Sequence, residues 1–551
     1  MVQQQKLKEN YPMKSQFLPD VWYQDQLLTA SGLDCKTDYN NMLTLFALKE
    51  RFRYRVVLPT AEPLTVFAIP DTDEKLIVCS DCAVFGKNAL VLPDAYHVLF
   101  RGEVNFECID EAMYHVEKAG EMTLFGVKNF FNAELLKTDF DALLAKKLEF
   151  TEEIPDFGAA DSDTCTTIGR AWSQLRGHIY SAEGIYPGYF ATPDRWPHRA
   201  CWIMDSVYQA LAVRYFKKDV ATDMVTALLN QQREDGLIVQ SSTPEFTKRN
   251  ITQQPIIAWG LEKCDPSVET VAKAYMHLAG YLEWNMRHRD FTGIGLLSWM
   301  FSSSPHDCAC GESGMDNSPR FDCGCAQYAV DLNCFMSKEC EVMAKFAEML
   351  NLPAEAEYWQ EQHERFNDLI EEYFWNEEKQ FYTDFDLMHY WKSPVMAVSG
   401  FMPLFCGAAS KGHAAAIAAH VRNKETFGTK YPLPSVSLSD PAFELDMWRG
   451  PVWHIFNYIA AEGLERYGYC DEADHIRRQT VEMQIKNYRE FGGFYEFFDP
   501  AGVVPPGKIN RKGPNVPEGL STLHRAVHDY GWSASIFLDM LAKLNKKCGN
   551  I

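Results

Sequence analysis

Residues 268–289 read VETVAKAYMHLAGYLEWNMRHR. Val271, Ala274, Tyr275, Leu278 and Leu282 recur at three- and four-residue intervals, while Glu269, Lys273, His277 and Arg287 fall elsewhere on the wheel, which is the pattern of an amphipathic helix. The same spacing returns upstream in TIGRAWSQLRGHIY (167–180), DSVYQALAVRYF (205–216) and VATDMVTALLNQQ (220–232). It returns downstream through AEYWQEQHERFNDLIEEYFW (356–375), VWHIFNYIAAEGLERYG (452–468) and WSASIFLDMLAKL (532–544). About ten to thirteen helices fit between residues 161 and 548, a number that suits either an α-solenoid or a closed ring of helical hairpins.

Upstream of this region the period changes from helical to alternating. RYRVVLP (53–59), LTVFAIP (64–70), KLIVCSDCAVF (75–85), ALVLP (89–93), HVLFRGEVNFECI (97–109) and EMTLFGV (121–127) are short Val-, Phe- and Ile-rich runs between Pro, Asp and Gly turns. They predict an antiparallel sheet or sandwich. The acidic link LEFTEEIPDFGAADSD (148–163) separates the two regions. The expected organisation is therefore an N-terminal β-sandwich-like domain over 1–155 and a helical domain over 156–551.

Composition narrows the function. Of 551 residues, 46% are hydrophobic and 23% charged, the mix of a folded globular protein. Lys and Arg number 53 against 75 Asp and Glu, a net charge of −22 that repels phosphate backbones and anionic lipid surfaces, so neither nucleic acid nor membrane is an expected partner. The first thirty residues hold no secretory signal pattern, and the longest uncharged stretch, Ser393 to Ser410, is interrupted by Pro394, Gly400, Pro403 and Gly407. Sixteen cysteines spread over a chain with no export signal read as reduced thiols in a cytoplasm. No zinc-protease H-E-x-x-H, phosphate-binding loop or G-x-S-x-G elbow is present.

The connections between helices carry the chemistry. EGIYPGYFATPDRWPHR (183–199), GESGMDNSPR (311–320), ELDMWRGPVW (444–453) and GGFYEFFDPAG (492–502) bring aromatic, Gly, Arg and carboxylate residues together in loops on a rigid scaffold. Composition alone reads GESGMDNSPR as a surface turn in which Asp316 caps the next helix. Beside the other loops it reads as half of a sugar site, which needs flat aromatic faces, charged groups for hydroxyls, and two carboxyls flanking the scissile bond.

With these motifs in order, the chain resembles the inverting glycoside hydrolases of the processing α-glucosidase and mannosylglycerate hydrolase group, relatives of trehalases. The pieces are CWIMDSVYQALAVRY (201–215), LLNQQREDGLIVQSS (228–242), TQQPIIAW (252–259), GESGMDNSPRF, AVDLNCFM (329–336), DMWRGPVW, YEFFDPAG and YGWSAS (530–535). The resemblance covers about residues 165 to 545 and implies an (α/α)6 barrel, one of the two arrangements that the helix count leaves open. It places the general acid on Asp316 and the general base on Glu496. It also lines the pocket for the non-reducing sugar with Asp205, Gln254, Trp259, Arg320, Trp448, Arg449, Trp453 and Trp532. The chain departs from the family pattern at Met204 and Met447, where an aromatic residue is usual. The leading β domain is absent from the compact mannosylglycerate hydrolase type.

The expected activity is inverting, exo-acting hydrolysis of a small α-linked glucoside or mannoside, with no cofactor and a small oligosaccharide or glycoside as partner; oligomeric state is left open. The alternatives are a trehalase or debranching-type α-glucosidase on the same barrel, or a glycan-binding protein that has lost activity. Cys308, Cys310, Cys323 and Cys325 form two C-x-C pairs around the catalytic loop, but structural zinc sites usually separate paired cysteines by two to four residues, so no metal is expected. Cys79 and Cys82 form C-x-x-C inside a strand pattern, and His524 and His528 stand four apart without the Glu of a zinc-protease helix, so neither pair is assigned a role.

Overall fold

A computed structural model of the chain describes strand segments at 28–30, 42–47, 52–57, 77–78 and 82–85, then residues 88–547 except 95, 103, 108–110, 113, 150–153, 156, 158, 160, 195–197, 199, 248, 302–307, 325 and 514–523. The ten N-terminal strands are β1 (Leu28–Ala30), β2 (Met42–Ala47), β3 (Phe52–Val57), β4 (Ile77–Val78), β5 (Cys82–Phe85), β6 (Asn88–Asp94), β7 (His97–Arg101), β8 (Asn105–Glu107), β9 (Tyr114–Ala119) and β10 (Met122–Val127). They form two antiparallel sheets, ordered β1-β2-β3-β8 and β4-β5-β6-β7-β10-β9. Ala89 to Leu92 of β6 and His97 to Phe100 of β7 are all buried, so these central strands are covered on both faces. β9 was not among the strand patterns of the sequence. Only Tyr114 of this charged edge strand is buried, paired through β10 in a regular register. The LTVFAIP stretch lies outside the described residues.

Thirteen helices follow among the described residues: α1 (Phe140–Leu148), α2 (Ser162–His178), α3 (Ile203–Phe216), α4 (Lys218–Ala227), α5 (Ile257–Lys263), α6 (Val268–Arg289), α7 (Val330–Met349), α8 (Pro353–Phe374), α9 (Met402–Cys406), α10 (Lys411–His420), α11 (His454–Arg466), α12 (Cys470–Phe491) and α13 (Gly531–Lys547). α3 packs on α5, α5 on α7, α7 on α9, α9 on α11, α11 on α13, and α13 returns to α3, so six helices close a ring. The burial patterns follow from position. Ile203 to Val213 of α3 are all buried, as a helix surrounded by protein on every side requires. α6, on the outside, buries Val271, Ala274, Tyr275, Leu278 and Leu282, the stripe its sequence predicts.

Each inner helix is preceded by an outer helix that brings the chain back, so the connections into the inner helices open on the same end of the ring. That end also gathers six helix N-termini, whose partial positive charge favours carboxylates. No helix among the described residues is long and apolar enough to cross a membrane.

Candidate active site

The motif residues stand in the connections that lead into the inner helices or in their first turn. Asp205 is in the first turn of α3, Gln254 precedes α5, Asp316 and Arg320 precede α7, Trp448, Arg449 and Trp453 precede α11, and Glu496 and Trp532 bracket the entry to α13. The Asp316 loop is held from three sides. Glu312 pairs with Arg289 of α6 and accepts the backbone N–H groups of Thr252 and Met300, each at 3.0 Å. Gln254 donates to the carbonyl of Ser313. Gly314, at φ +70°, is pressed so closely on Gln254 and Met204 that a Cβ would lie 2.5 Å from the amide nitrogen, so the residue is glycine for lack of room as well as for its left-handed backbone.

On the far side, Asn317 ties this loop to the WRGPVW loop: its Oδ1 accepts the Trp448 N–H at 3.0 Å, and its carbonyl accepts Arg449 Nη1 at 3.1 Å. Arg449 also pairs with Asp322 at 2.6 Å and Glu444 at 2.7 Å. Arg320 is buried between Asp331, which also accepts the Trp299 indole N–H at 2.9 Å, and Asp384, 3.1 Å away. Both arginines thus act as struts between carboxylates.

The two carboxyls are gripped by consecutive residues. Arg511 Nε lies 2.8 Å from Glu496 Oε2 and Nη2 lies 3.2 Å from Oε1, a bidentate pair; Lys512 Nζ lies 2.8 Å from Asp316 Oδ2. Burial opposes the Arg511 charge, but Glu496 holds its pKa above the usual guanidinium value. Arg511 Nη2 also faces His198 Nε2 at 3.3 Å, and His198 Nδ1 is 2.7 Å from the buried Asp194. A third carboxyl of the motifs, Asp205, is buried. Burial first, then the charges of Asp194 and Glu496, push it well above the ordinary carboxylate range, and a hydrogen bond donated by the Tyr530 hydroxyl opposes them. Asp205 Oδ1, Gln254 Oε1 and Trp448 Nε1 are buried with no hydrogen-bond partner among the described residues.

Trp448 stacks on Trp453 with centroids 3.6 Å apart and planes 6° apart; Trp453 lies 5.7 Å from Trp532, which stands 4.3 Å from Tyr530 and donates its indole N–H to the Glu496 carbonyl at 3.3 Å. This aromatic row leads to the carboxyls. Trp259 does not join it: the ring lies edge-on to Tyr208, Phe405 and Tyr458 among the inner helices, a core position. Met447, at φ +47°, presents its carbonyl to the Trp453 indole at 2.8 Å, so backbone does part of the work at that departure from the pattern.

The sequence model of the mannosylglycerate hydrolase MGH1-like glycoside hydrolase domain matches residues 197–533, more than half of the chain. The chain belongs to that family. This glycoside hydrolase is similar to mannosylglycerate hydrolase MGH1 of Selaginella moellendorffii, 28% identical over 441 residues that span 65% of this chain and 85% of the relative. A stretch of 109 residues, 19% of this chain and 24% of the relative, is 36% identical to mannosylglycerate hydrolase of Thermus thermophilus. In fold, it is similar to a GH63 mannosylglycerate hydrolase of Thermus thermophilus in complex with glucose, with a TM-score of 0.54 at 22% identity over 67% of this chain and 98% of that one. Neutral trehalase Nth1 of Saccharomyces cerevisiae gives 0.51 at 18% identity over 67% and 76%. These likenesses and the closed ring are consistent with an (α/α)6 barrel.

Asp194, His198, Asp446, Arg511, Lys512 and Tyr530 of the glycoside hydrolase were not singled out from the sequence. Tyr530 lies inside the YGWSAS motif, Asp446 inside DMWRGPVW, and Asp194 and His198 inside the 183–199 loop, so membership of a quoted stretch is a usable signal for those four and not for Arg511 and Lys512. Among the cysteines, Cys310 is buried, with its thiol 3.4 Å from the Met300 carbonyl and its pKa pushed up by burial, whereas Cys323 is exposed. Cys325 lies outside the described residues, as does Cys79; His528 is buried beside Asp529. Among the described residues no three His, Cys, Asp or Glu side chains come together as metal ligands. Activity is expected to survive a strong chelator, and elemental analysis with an assay before and after chelation checks it; about one zinc per chain lost together with activity would reverse that expectation.

Proposed function

We propose that this glycoside hydrolase is an inverting, exo-acting α-glycosidase of a small α-linked glucoside or mannoside, with Asp316 as general acid and Glu496 as general base. The observation that carries the reading is that neighbouring residues, Arg511 and Lys512, reach Glu496 and Asp316, so the two carboxyls face one space. In the proposed reaction Asp316 gives its proton to the glycosidic oxygen as the bond to the anomeric carbon breaks. Glu496, held in place by Arg511, takes a proton from a water attacking the opposite face. Lys512, 2.8 Å from Asp316 Oδ2, holds that carboxyl in position.

The exo mode is supported by graded exposure. Asp205 and Glu496 are each 2% exposed, while the side chains of Asp316 and Lys512 are 17% and 23% exposed, so the leaving-group side opens to solvent and the Asp205 side is closed. A blind end of that kind admits one terminal sugar. In this reading an (α/α)6 barrel over 156–551 carries the activity, a β-sandwich-like domain over 1–155 precedes it, and the protein works in the cytoplasm on a small glycoside.

Incubation with a panel of α-linked disaccharides and glycerate conjugates tests the reading. Release of free glucose or mannose is expected. Preference for α,α-trehalose would instead favour a trehalase, and no sugar from any substrate would favour a glycan-binding protein. Proton NMR of the first product is expected to show the β-anomer, because water activated directly by Glu496 attacks the face opposite the leaving group. An initial α-anomer means a covalent, retaining route and rejects Glu496 as a base.

A further inference from the structure

We propose that Asp446 is a positioning residue that sets both catalytic carboxyls through the turn at residues 511–513. The inference rests on the acid and base assignment above and goes beyond it, since nothing in that assignment explains why two consecutive cations meet two different carboxylates.

Along an extended strand successive side chains point to opposite faces, so neighbours such as Arg511 and Lys512 would not normally share one pocket. Here the backbone turns: Lys512 is left-handed, at φ +66°. A residue other than glycine pays roughly 1–2 kcal/mol for that conformation. The buried carboxylate of Asp446 holds it in place, with Oδ1 accepting the Lys512 N–H at 2.9 Å and Oδ2 accepting the Gly513 N–H at 2.8 Å. Ionised acceptors make such bonds shorter and stronger than neutral ones. The strand before the turn is anchored by the same segment, since Asp446 bridges Asn510 in parallel and the Met447 N–H donates to the Asn510 carbonyl at 3.0 Å.

Asp446 is itself part of the loop that is fastened to the general acid. Arg449 donates its backbone N–H to the Asp446 carbonyl at 2.8 Å and its guanidinium to Asn317, the residue after Asp316. The Asp446 side chain therefore holds the turn that carries the two cations, while its backbone carbonyl ties the same residue to the acid loop through Arg449. Arg511 meets Glu496 and His198, with Asp316 and Tyr530 acting on its charge from further off, and Lys512 meets Asp316. If the turn relaxes, Arg511 leaves Glu496 and Lys512 leaves Asp316 together, and a displacement of about 1 Å at reacting groups can cost on the order of a hundredfold in rate.

Asp446→Asn tests this, because the amide keeps the size of the side chain but turns an NH2 toward one of the two donors. The expected result is a fall in kcat of roughly ten- to a hundredfold with KM changed less than about threefold and the thermal midpoint nearly unchanged. In an Arg511→Gln, Lys512→Met background the same substitution is expected to alter kcat by less than about twofold, since residues acting through a shared partner are not additive. Asp446→Glu, which keeps the charge but moves it by one methylene, carries the same test should the Asn variant not fold. Wild-type kcat in either folded variant, a change confined to KM, or an equal loss in both backgrounds overturns the proposal. Asp316→Asn and Glu496→Gln measured alongside separate its failure from that of the catalytic reading. If those two retain turnover the acid and base assignment is wrong, whereas if they are dead and Asp446→Asn is not, only the positioning role is lost.

Discussion

Asp316→Asn and Glu496→Gln are each expected to lower kcat by roughly 10²–10⁴-fold, the range that loss of a positioned acid or base produces, while sugar binding persists. The two variants should differ in stability. Asn at 316 leaves Lys512 unpaired, but its side chain is 23% exposed and water can take over. Gln at 496 leaves Arg511, 6% exposed, facing a neutral amide in a buried site. Removing one partner of a buried ion pair costs about 3–5 kcal/mol, and the amide oxygen recovers part of that as an acceptor, so Glu496→Gln should unfold measurably earlier than Asp316→Asn. Single-turnover kinetics, an isotherm for a bound sugar and a thermal unfolding curve for each variant provide the check. Near-wild-type turnover in either rejects the assignment of that residue.

The site was partly legible because the residues that enter the inner helices are of unusual types. A turn such as GESGMDNSPR or a run such as DMWRGPVW concentrates Gly, Pro, Trp and charge where a plain helical connection would carry small polar residues, and its order along the chain could be compared with a known pattern. The fold was legible for a related reason. The one-sided stripe in 268–289 and the predominantly apolar run in 203–213 reflect outer and inner positions, and both survive in the one-dimensional string.

What the sequence concealed is of two kinds. Arg511 and His198 are 313 positions apart, and a charged residue in KINRKG looks like any solvated loop until the fold brings Glu496 to it. Trp259 and Trp453 are the reverse case. Both are buried tryptophans at the mouth of an inner helix, yet one points among Tyr208, Phe405 and Tyr458 while the other stacks on Trp448 and lies beside Trp532. Periodicity over the short α5, Ile257–Lys263, is too brief to say which face meets the axis.

Arg320 is where the two possible meanings of a motif arginine can be separated by experiment. As a sugar contact it would govern KM; as the strut seen in the structure it governs stability. Its Nη1 and Nη2 groups are engaged by Asp331 and Asp384, and its side chain is 1% exposed, so Arg320→Met leaves two carboxyls buried without their cation. The expected loss is about 3–5 kcal/mol of unfolding free energy. Arg320→Lys should recover only part of it, because an ammonium is a point charge and does not bridge two carboxylates as a planar fork does. The deficit should also depend on pH. Burial raises the Asp384 carboxyl above its ordinary value even with Arg320 pulling it down, so without Arg320 the folded state binds a proton more tightly than the unfolded state. A folded state that binds more protons gains stability as pH falls and loses it as pH rises, so the gap between variant and wild type should narrow toward about pH 5 and widen toward about pH 8. Urea unfolding at those two values, with KM measured at each, decides between the roles: an unchanged unfolding midpoint with a raised KM would make Arg320 a substrate contact and the buried triad incidental.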